Sequence, residues 1–533
     1  MTENAITTEV VVVGSGIAGA LVATGLARRG VKVVMIEAGP RVDRAAAVLR
    51  DQAAGAARGT PESAYPTVPY APHPSTLDPK FYLVQKGPED FGSIYERLVG
   101  GTTWHWLGTS LRLVPNDFRM KSRYGIGVDW PISYDDVEPW YGRAEKEIGV
   151  AGVDSHDLGA PRSTPYPMPP IPQSYLDKQW IKAATKVGLR VVSTPQARNS
   201  VPRAGRPPCC GNNNCIPICP IGAKYDGSVH VAEAEKLGVR VLASSVVHHV
   251  SVDPHSVTVR YLRPDRSEGV VNGRVLVLAA HAIETPKLML MSDGLGNAYG
   301  NVGRYLMDHP TQLSWALSNQ PVYPYRGPLA TSGIEMLRDG AFRKTRAAFR
   351  IEIGNDGWSW PDGDQTAQAT AMAKGGPIGS AGFQRLGQQF ERQVRLASLT
   401  EPLPDPSNRV TLSTEKDALG LPRPEIHYRT GEYSQAGLAE ARSTHERLFR
   451  SLGVSEIHHW PGPQGAGHIM GTCRMGDNPK TSVVDSNLRV HGHPNCFVVS
   501  TAVWPTVGTA NPTLTLAALS LRAVEAVHGA ISQ

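Results

Sequence analysis

Four of the six cysteines in this 533-residue chain lie within eleven residues, on a segment rich in Asn and Pro. They are Cys209, Cys210, Cys215 and Cys219, and Pro220 follows the last of them. Closely spaced thiolates on flexible backbone suit an iron–sulfur cluster, and cluster sites often end in a Cys-Pro step. The spacing therefore predicts a cluster held by this loop.

Three alternatives to a cluster stay open from the residues alone. Disulfides need an oxidising compartment, and the adjacent Cys209 and Cys210 have poor geometry for pairing with each other. Zinc usually takes two paired cysteine knuckles, and this run supplies only one half. Inert buried thiols are the third alternative. Because neighbouring cysteines rarely both reach one small cluster, we expect three ligands and a 3Fe-4S cluster.

A glycine-rich turn near the N-terminus predicts a dinucleotide site. Its glycines are Gly14, Gly16 and Gly19. They lie between a predicted strand at 9–13 and a predicted helix at 20–29, and a second strand is predicted at 31–36. The glycines permit a tight turn, close approach of a pyrophosphate to the backbone, and close packing of helix on strand. Glu37 would then accept hydrogen bonds from the adenosine ribose, in NAD or in FAD.

Composition describes an ordered globular protein of two or more domains, with 41% hydrophobic and 19% charged residues. The net charge of +6 is not concentrated in basic runs, which argues against nucleic-acid binding. We predict no signal peptide and no membrane span, because the sequence shows no charged and apolar leader pattern and no long uncharged apolar stretch. The expectation is a cytoplasmic protein, or one exported folded on a partner's signal.

Two long stretches of the sequence show weaker patterns of secondary structure. Residues 40–90 show little periodicity and many Pro, Ala and Gly, and predict an extended covering segment. Residues 311–460 mix strand-like and helical patterns around turns, which predicts a separate substrate-side domain.

Four motifs together resemble the glucose–methanol–choline (GMC) family of flavin oxidoreductases. They are VGGTTWHWLG at 99–108, VGRYLMDHP at 302–310, GAGHIMGTCRMG at 465–476 and WPTVGTANPT at 504–513. The resemblance runs from residue 9 to about residue 527 and is weakest in the middle. It implies that the dinucleotide is FAD. The further cofactor contacts that it implies are Gly100, Gly101, Thr102, His105 and Thr513.

Within that family, the cysteine run makes the chain similar to the catalytic subunits of bacterial FAD-dependent glucose and other sugar dehydrogenases. That resemblance implies Cys209, Cys215 and Cys219 as cluster ligands, and Cys210 in place of Cys209 is the alternative. It also implies a small companion subunit that carries the export signal and a cytochrome c-type electron acceptor. The chain would then work at the periplasmic face of the membrane, attached only through partners.

Alcohol oxidation by a flavin needs a base for the hydroxyl proton, and histidine suits this task because its pKa lies near working pH. The catalytic histidine of the family matches His468, and its partner position, a His or Asn, matches Asn511. Asn511 would fix the orientation of the substrate hydroxyl.

His105 lies where some pyranose oxidases of the family link the flavin covalently to a histidine. Because the iron–sulfur relatives generally hold flavin noncovalently, we expect His105 to pack near the flavin ring without a bond. Covalent attachment is the alternative.

The expected fold is an α/β FAD-binding domain, Rossmann-like and of GMC type, with a second, α+β substrate-binding domain. The FAD-binding domain is expected to be discontinuous, and its segments are 1–125, 223–310 and 465–533. The substrate domain is expected at 126–222 and 311–464, with the cysteine loop at 205–224.

The predicted activity is hydride transfer from a sugar hydroxyl to FAD, with electrons leaving through the cluster to a cytochrome c. Glucose oxidised at C1 is the first choice. The alternatives are gluconate, fructose or sorbitol oxidation, glycoside oxidation at C3, and a pyranose oxidase that uses oxygen. A noncatalytic electron-transfer subunit that keeps FAD is a rival of another class, which the presence of His468 and Asn511 disfavours.

Overall fold

The computed structural model describes residues 5–58, 64–65, 68–74, 81–357, 365–375 and 379–531. Its centre is a five-stranded, all-parallel sheet. In spatial order the strands are Cys496–Val498, Val275–Leu278, Val10–Val13, Val33–Ile36 and Arg240–Leu242. The three middle strands consist of buried aliphatic residues throughout, as a parallel sheet covered on both faces requires.

Three helices pack together beside this sheet, and a fourth extends the layer. Ile17–Ala27 follows the first glycine turn and contacts both Ser228–Lys236 and Thr513–Ile531. Tyr134–Ile148 packs on the other side of Thr513–Ile531. The last helix has the length and mean hydropathy of a membrane-spanning helix, but much of it is buried against these neighbours.

A second large sheet is antiparallel and has its own hydrophobic core. Its strands, in spatial order, are Val454–His459, Pro310–Ser318, Gln393–Thr400, Phe349–Gly354, Ser332–Ile334 and Val192–Ser193, and Gln464–Gly465 also pairs with Pro310–Ser318. Helices Glu432–Leu452 and Tyr175–Lys186 contact each other, and Glu432–Leu452 also packs on the sheet. This layer forms one wall of the site described below.

Two smaller sheets complete the strand inventory of the described residues. One contains Ile6–Thr7, Glu268–Gly273, Ser256–Leu262 and Val246–Asp253, and the other contains Arg409–Lys416, Pro422–His427 and Val84–Gln85. The remaining α-helices are Arg44–Arg58, Met120–Tyr124, His281–Met291, Gln365–Gly375 and Ser380–Phe390. Short 3₁₀ helices span Gly101–Trp104, Pro115–Phe118, Ala341–Lys344 and Thr501–Val503.

Buried arginines join the antiparallel layer to the segments around the parallel sheet. Arg338 donates hydrogen bonds to the carbonyl oxygens of Arg112, at 2.6 Å, and Leu158, at 2.9 Å. Arg343 pairs with Asp117 at 2.7 Å. Both guanidinium groups are essentially inaccessible to solvent. Breaking such a buried pair leaves an uncompensated charge and costs several kcal/mol.

The structure confirms the predicted βαβ unit and the pairing of an α/β domain with a second, mixed layer of strands and helices. The proposed domain boundaries stay a prediction. One expectation is wrong: residues 44–58, which we took as extended, form the helix Arg44–Arg58. Within the predicted extended segment at 40–90, residues 59–63, 66–67 and 75–80 lie outside the described residues.

Candidate active site

A cavity of about 800 Å³ opens at the carboxyl ends of the central parallel strands. Its wall includes Val13 and Ile36, which end two of these strands, and Ala279, which follows a third. This edge of an open parallel sheet is where α/β proteins bind nucleotides.

The predicted catalytic and cofactor residues converge on this cavity, although they come from distant parts of the chain. All of them except Gly19 and Gly100 line it, namely Gly14, Gly16, Glu37, Gly101, Thr102, His105, His468, Asn511 and Thr513.

Gly19 and Gly100 shape the backbone behind the cavity wall. A Cβ atom at Gly19 would lie 2.0 Å from the carbonyl oxygen of Gly14, so only glycine lets the helix approach the turn. Gly100 has a φ of +97°, and a Cβ there would lie 2.7 Å from Nε1 of Trp104. Both positions therefore require glycine for packing rather than for cofactor contact.

The nucleotide end of the cavity carries the features that FAD needs. Gly16 precedes the helix Ile17–Ala27, and a Cβ at Gly16 would meet only the Cα of Gly101, at 3.9 Å. The helix N-terminus is thus open to the cavity, where its unpaired N–H groups suit a pyrophosphate. Glu37 accepts hydrogen bonds from the backbone N–H groups of Ser15, at 2.9 Å, and Gly39, at 3.0 Å. Burial raises the pKa of this carboxyl, while these donors oppose the shift.

The catalytic pair predicted from the sequence is in contact. Nδ2 of Asn511 lies 3.2 Å from Nε2 of His468. Nη1 of Arg350 donates to Oδ1 of Asn511 at 3.3 Å, so the amide nitrogen is the atom that faces the imidazole. His468 follows the short strand Gln464–Gly465, and its backbone N–H donates to Oδ1 of Asp308 at 2.9 Å.

His309 is a site residue to which the sequence assigned no role. Its Nδ1 lies 2.9 Å from Nδ1 of His468, and its Nε2 lies 3.0 Å from the carbonyl oxygen of Gly508. The two rings meet edge to face, with their centroids 5.0 Å apart. The only sequence signal was the motif at 302–310, which contains this residue.

Burial lowers the pKa of both histidines. The pKa of His309 falls to about 4, and that of His468 falls well below its ordinary value, with the neighbouring His309 and Arg350 adding to the effect. Both imidazoles are therefore neutral at pH 7. A neutral imidazole beside a substrate hydroxyl is ready to accept a proton.

His105 lines the cavity, and its Nδ1 atom contacts a buried carboxylate. Its Nδ1 lies 3.0 Å from Oε1 of Glu96, whose Oε2 lies 3.4 Å from Nε2 of the buried His73. Because Nδ1 is occupied by Glu96, Nε2 is the nitrogen left for the cavity. A carboxylate that accepts from Nδ1–H selects the tautomer in which Nε2 carries the lone pair. This geometry favours the covalent alternative over the noncovalent expectation.

We therefore predict that Nε2 of His105 is the atom that would hold FAD covalently. Acid-precipitated protein should keep its yellow flavin in the pellet, and His105→Ala should release all of it to the supernatant. Peptide mass spectrometry after proteolysis would locate the adduct. Flavin that leaves the unsubstituted protein on acid treatment would contradict the prediction.

The four cysteines of the loop differ in burial. Cys215 and Cys219 are 2% and 5% exposed, Cys209 is half-buried and Cys210 is exposed. Burial raises the pKa of Cys209, and negative charge on Cys215 and Cys219 adds to the shift. The assignment of these three cysteines as cluster ligands, which the resemblance implied, stays a prediction. Cys473 and Cys496 lie fully buried in the main core.

The helix that the sequence analysis missed holds this loop in place. Nη1 of Arg44, in the helix Arg44–Arg58, donates to the carbonyl oxygen of Cys219 at 2.9 Å. The hydroxyl of Tyr65 donates to the carbonyl oxygen of Pro217 at 2.6 Å.

Two buried cations face the cysteine loop. The ammonium of Lys224 donates to the carbonyl oxygens of Cys215 and Trp104, each at 2.8 Å. Burial lowers its pKa to about 8, and negative charge on the cysteines opposes the shift. Arg198 is 1% exposed, and its Nε and Nη1 atoms have no hydrogen-bond partner. Buried cations without a matching anion are costly, so this donor set fits an anionic group such as a thiolate-bound cluster.

The cysteine loop and the cavity share a wall. Ile216 and Pro217, which lie between Cys215 and Cys219, both line the cavity. Lys224 contacts both regions. It donates to the carbonyl oxygen of Cys215 in the loop and to that of Trp104, which is next to the cavity residue His105.

Comparison with known proteins agrees with this geometry. A family model described as GMC oxidoreductase matches residues 94–311, and a second with the same description matches residues 404–520. A model described as FAD dependent oxidoreductase matches residues 9–113. The fructose dehydrogenase large subunit of Gluconobacter japonicus is 39% identical, over 100% of both chains. The chain belongs to the GMC oxidoreductase family.

Other GMC proteins are more distant. The 2-methyl-1,2-propanediol dehydrogenase of Mycolicibacterium austroafricanum is 28% identical, over 98% of this chain and 95% of its own. The crystal structure of pyridoxine 4-oxidase from Mesorbium loti superposes with a TM-score of 0.63, at 19% identity over 98% of this chain and 99% of its own. The predicted GMC fold is confirmed, and the protein is an FAD-dependent oxidoreductase that acts on CH–OH groups.

Proposed function

We propose that this protein is the catalytic subunit of an FAD-dependent sugar dehydrogenase that passes electrons to an iron–sulfur cluster. The observation that carries the proposal is the wall shared by the flavin cavity and the cysteine loop. A flavin bound there would have the catalytic pair and the cluster ligands around one cavity. The full-length relative named as a fructose dehydrogenase large subunit supports a sugar substrate.

His468 and Asn511 are the residues of this chain that act on the substrate hydroxyl. Nε2 of His468 takes the proton of the substrate hydroxyl, and the Asn511 amide holds the hydroxyl oxygen in line. Bound FAD supplies the hydride acceptor. A base with a positioned partner contributes roughly 10²–10⁴-fold to such proton transfers.

The proposed cluster ligands are Cys209, Cys215 and Cys219, with a 3Fe-4S cluster as the expected type. A tetrahedral zinc site brings its sulfur atoms to about 3.8 Å from one another, given Zn–S bonds of about 2.3 Å. Within the described ranges, the ligand atoms that converge within 4.8 Å belong to Asp308, His309 and His468 and not to the cysteines. The wider spacing of the thiols favours a multi-iron cluster, whose one-electron chemistry suits a cytochrome c acceptor.

Partners follow from the same proposal. The fructose dehydrogenase relative is a large subunit by name, which supports a companion subunit for this chain. We propose that the companion and a cytochrome c-type subunit bring it to the periplasmic face of the membrane.

A dye-reduction screen tests the proposed function. Glucose, fructose, gluconate, sorbitol and methyl glycosides would each be offered to the purified holoprotein with an artificial electron acceptor, without oxygen. We expect turnover with at least one of them and no peroxide when oxygen replaces the dye. Reduction by none of these compounds would exclude a sugar dehydrogenase, and rapid peroxide formation would indicate an oxidase.

A further inference from the structure

We propose that His309 is a positioning residue that fixes the tautomer of His468, so that the lone pair of the catalytic base faces the substrate. This inference deepens the proposed function and depends on it. It concerns the proton between the two rings, which neither the motifs nor the family assignment describes.

The contact of His309 with Gly508, which lies away from the substrate, fixes the position of one proton. The carbonyl oxygen of Gly508 can only accept a hydrogen bond, so Nε2 of His309 must carry its hydrogen. In neutral His309, Nδ1 then has only a lone pair. Nδ1 of His468 lies 2.9 Å away and must therefore donate, which leaves Nε2 of His468 unprotonated.

The hydrogen bonds on the other side of His468, from Arg350 through Asn511, independently require the same tautomer. A guanidinium can only donate, so Arg350 fixes the oxygen of the Asn511 amide on its own side. The amide nitrogen then faces Nε2 of His468 at 3.2 Å and donates to its lone pair, a contact that a bound substrate hydroxyl would take over. An acceptor-only group at one end and a donor-only group at the other thus select one tautomer.

His309 stays neutral for reasons visible in its surroundings. It is fully buried, and the guanidinium groups of Arg338 and Arg350 add positive charge nearby. A second proton on His309 would turn its Nδ1 into a donor and reverse the tautomer of His468. The buried Asp308 is the acidic group next to the pair, and it accepts from the backbone N–H of His468 rather than from a ring nitrogen.

The consequence for the reaction is a base that already has the reactive tautomer before substrate binds. A neutral imidazole free in water carries its proton mainly on Nε2, which is the wrong nitrogen here. Without an acceptor at Nδ1, His468 would spend much of its time unable to take the hydroxyl proton. When Nε2 gains that proton, the hydrogen bond from Nδ1 to His309 strengthens because the donor becomes charged.

Two substitutions separate this role from a structural one. His309→Leu removes the acceptor, and His309→Asn restores an oxygen near the position of Nδ1. We expect His309→Leu to lower the rate constant of flavin reduction by substrate on the order of 10²-fold. We expect His309→Asn to recover roughly tenfold of that loss, with FAD content equal in both variants. Asp308, Arg338 and Arg350 are unchanged in both variants, so the charged groups around the pair are the same in each. Burial raises the pKa of Asp308 to about 6, so the rates are compared at pH 8, where this carboxyl is ionised in all forms.

Nitrogen-15 NMR of histidine-labelled holoprotein reads the tautomer directly. We expect His468 to show a protonated Nδ1 and an unprotonated Nε2, and His309→Leu to shift it toward the opposite form. A protonated Nε2 in the unsubstituted protein would overturn the proposal, as would full-rate flavin reduction by His309→Leu. If no sugar reduces the flavin, the proposed function fails, but this spectrum still decides the tautomer.

A metal at the same place is the competing explanation for the contact, because ligand atoms of Asp308, His309 and His468 lie within 4.8 Å of one another. Treatment with EDTA followed by dialysis should leave flavin reduction unchanged. Loss of activity that zinc or another divalent ion restores would overturn the tautomer proposal.

Discussion

Replacing His468 by alanine lowers the rate constant of flavin reduction by the sugar on the order of 10³-fold, while FAD stays bound. The reason is that Nε2 of this residue is the imidazole nitrogen that faces Asn511 across the cavity. Asn511 is itself only a weak proton acceptor and cannot replace it. Anaerobic stopped-flow measurement of flavin absorbance checks the result, and flavin content of the variant checks that the fold is intact.

A matched control is His255→Gln, which changes an exposed histidine in the turn between two strands and should leave the rate unchanged. The pH dependence adds a second check. Because burial lowers the pKa of His468, the base is unprotonated at pH 7, and the rate should fall only as pH drops through that lowered pKa. A variant without His468 that still reduces its flavin at full rate would refute the assignment.

We expect the replacement of Cys215 by serine to remove the proposed iron–sulfur cluster and to stop electron delivery to the proposed cytochrome c acceptor, whereas the sugar still reduces the flavin. Cys215 is 2% exposed and is tied to Lys224 through its carbonyl oxygen, so its thiol has a fixed, interior position. A serine hydroxyl is a far poorer ligand for iron than a thiolate. Iron and sulfide analysis and EPR of the oxidised protein measure the loss of the cluster. Cytochrome c reduction measures electron delivery, and anaerobic flavin absorbance measures reduction by the sugar.

Cys210→Ser is the control, because Cys210 is an exposed thiol in the same loop. It should leave iron content and cytochrome c reduction unchanged. Loss of the cluster in Cys210→Ser but not in Cys209→Ser would transfer the third ligand position to Cys210. Absence of iron and sulfide from the unsubstituted protein would refute the cluster itself.

The central sheet could be predicted from the sequence because its strands depend on local information. The four consecutive valines of Val10–Val13, followed by the glycine turn, already define a buried strand and a nucleotide loop. The helix Arg44–Arg58 was missed because the prediction for the Pro-, Ala- and Gly-rich residues 40–90 treated them as one extended segment. Its position depends on distant contacts, such as that of Arg44 with Cys219.

The site residues also divide into those that local motifs predict and those whose roles depend on distant contacts. Motifs identified His468 and Asn511, and the structure brings them into contact across 43 positions of sequence. The role of His309 depends on hydrogen bonds to residues 159 and 199 positions away, which no local pattern encodes. Likewise, Lys224 and Arg198 are ordinary basic residues in the sequence, and only their burial beside the cysteines distinguishes them.

The buried arginines between the two layers have a consequence for how substrate reaches the cavity. Arg338 donates to two backbone carbonyl oxygens on the far side of the junction, and Arg343 forms an ion pair with Asp117 there. A hinge that separated the layers would leave both buried guanidinium groups without these partners, at a cost of several kcal/mol. The two layers should therefore stay joined during turnover, and sugar should enter and leave the cavity without a clamshell motion.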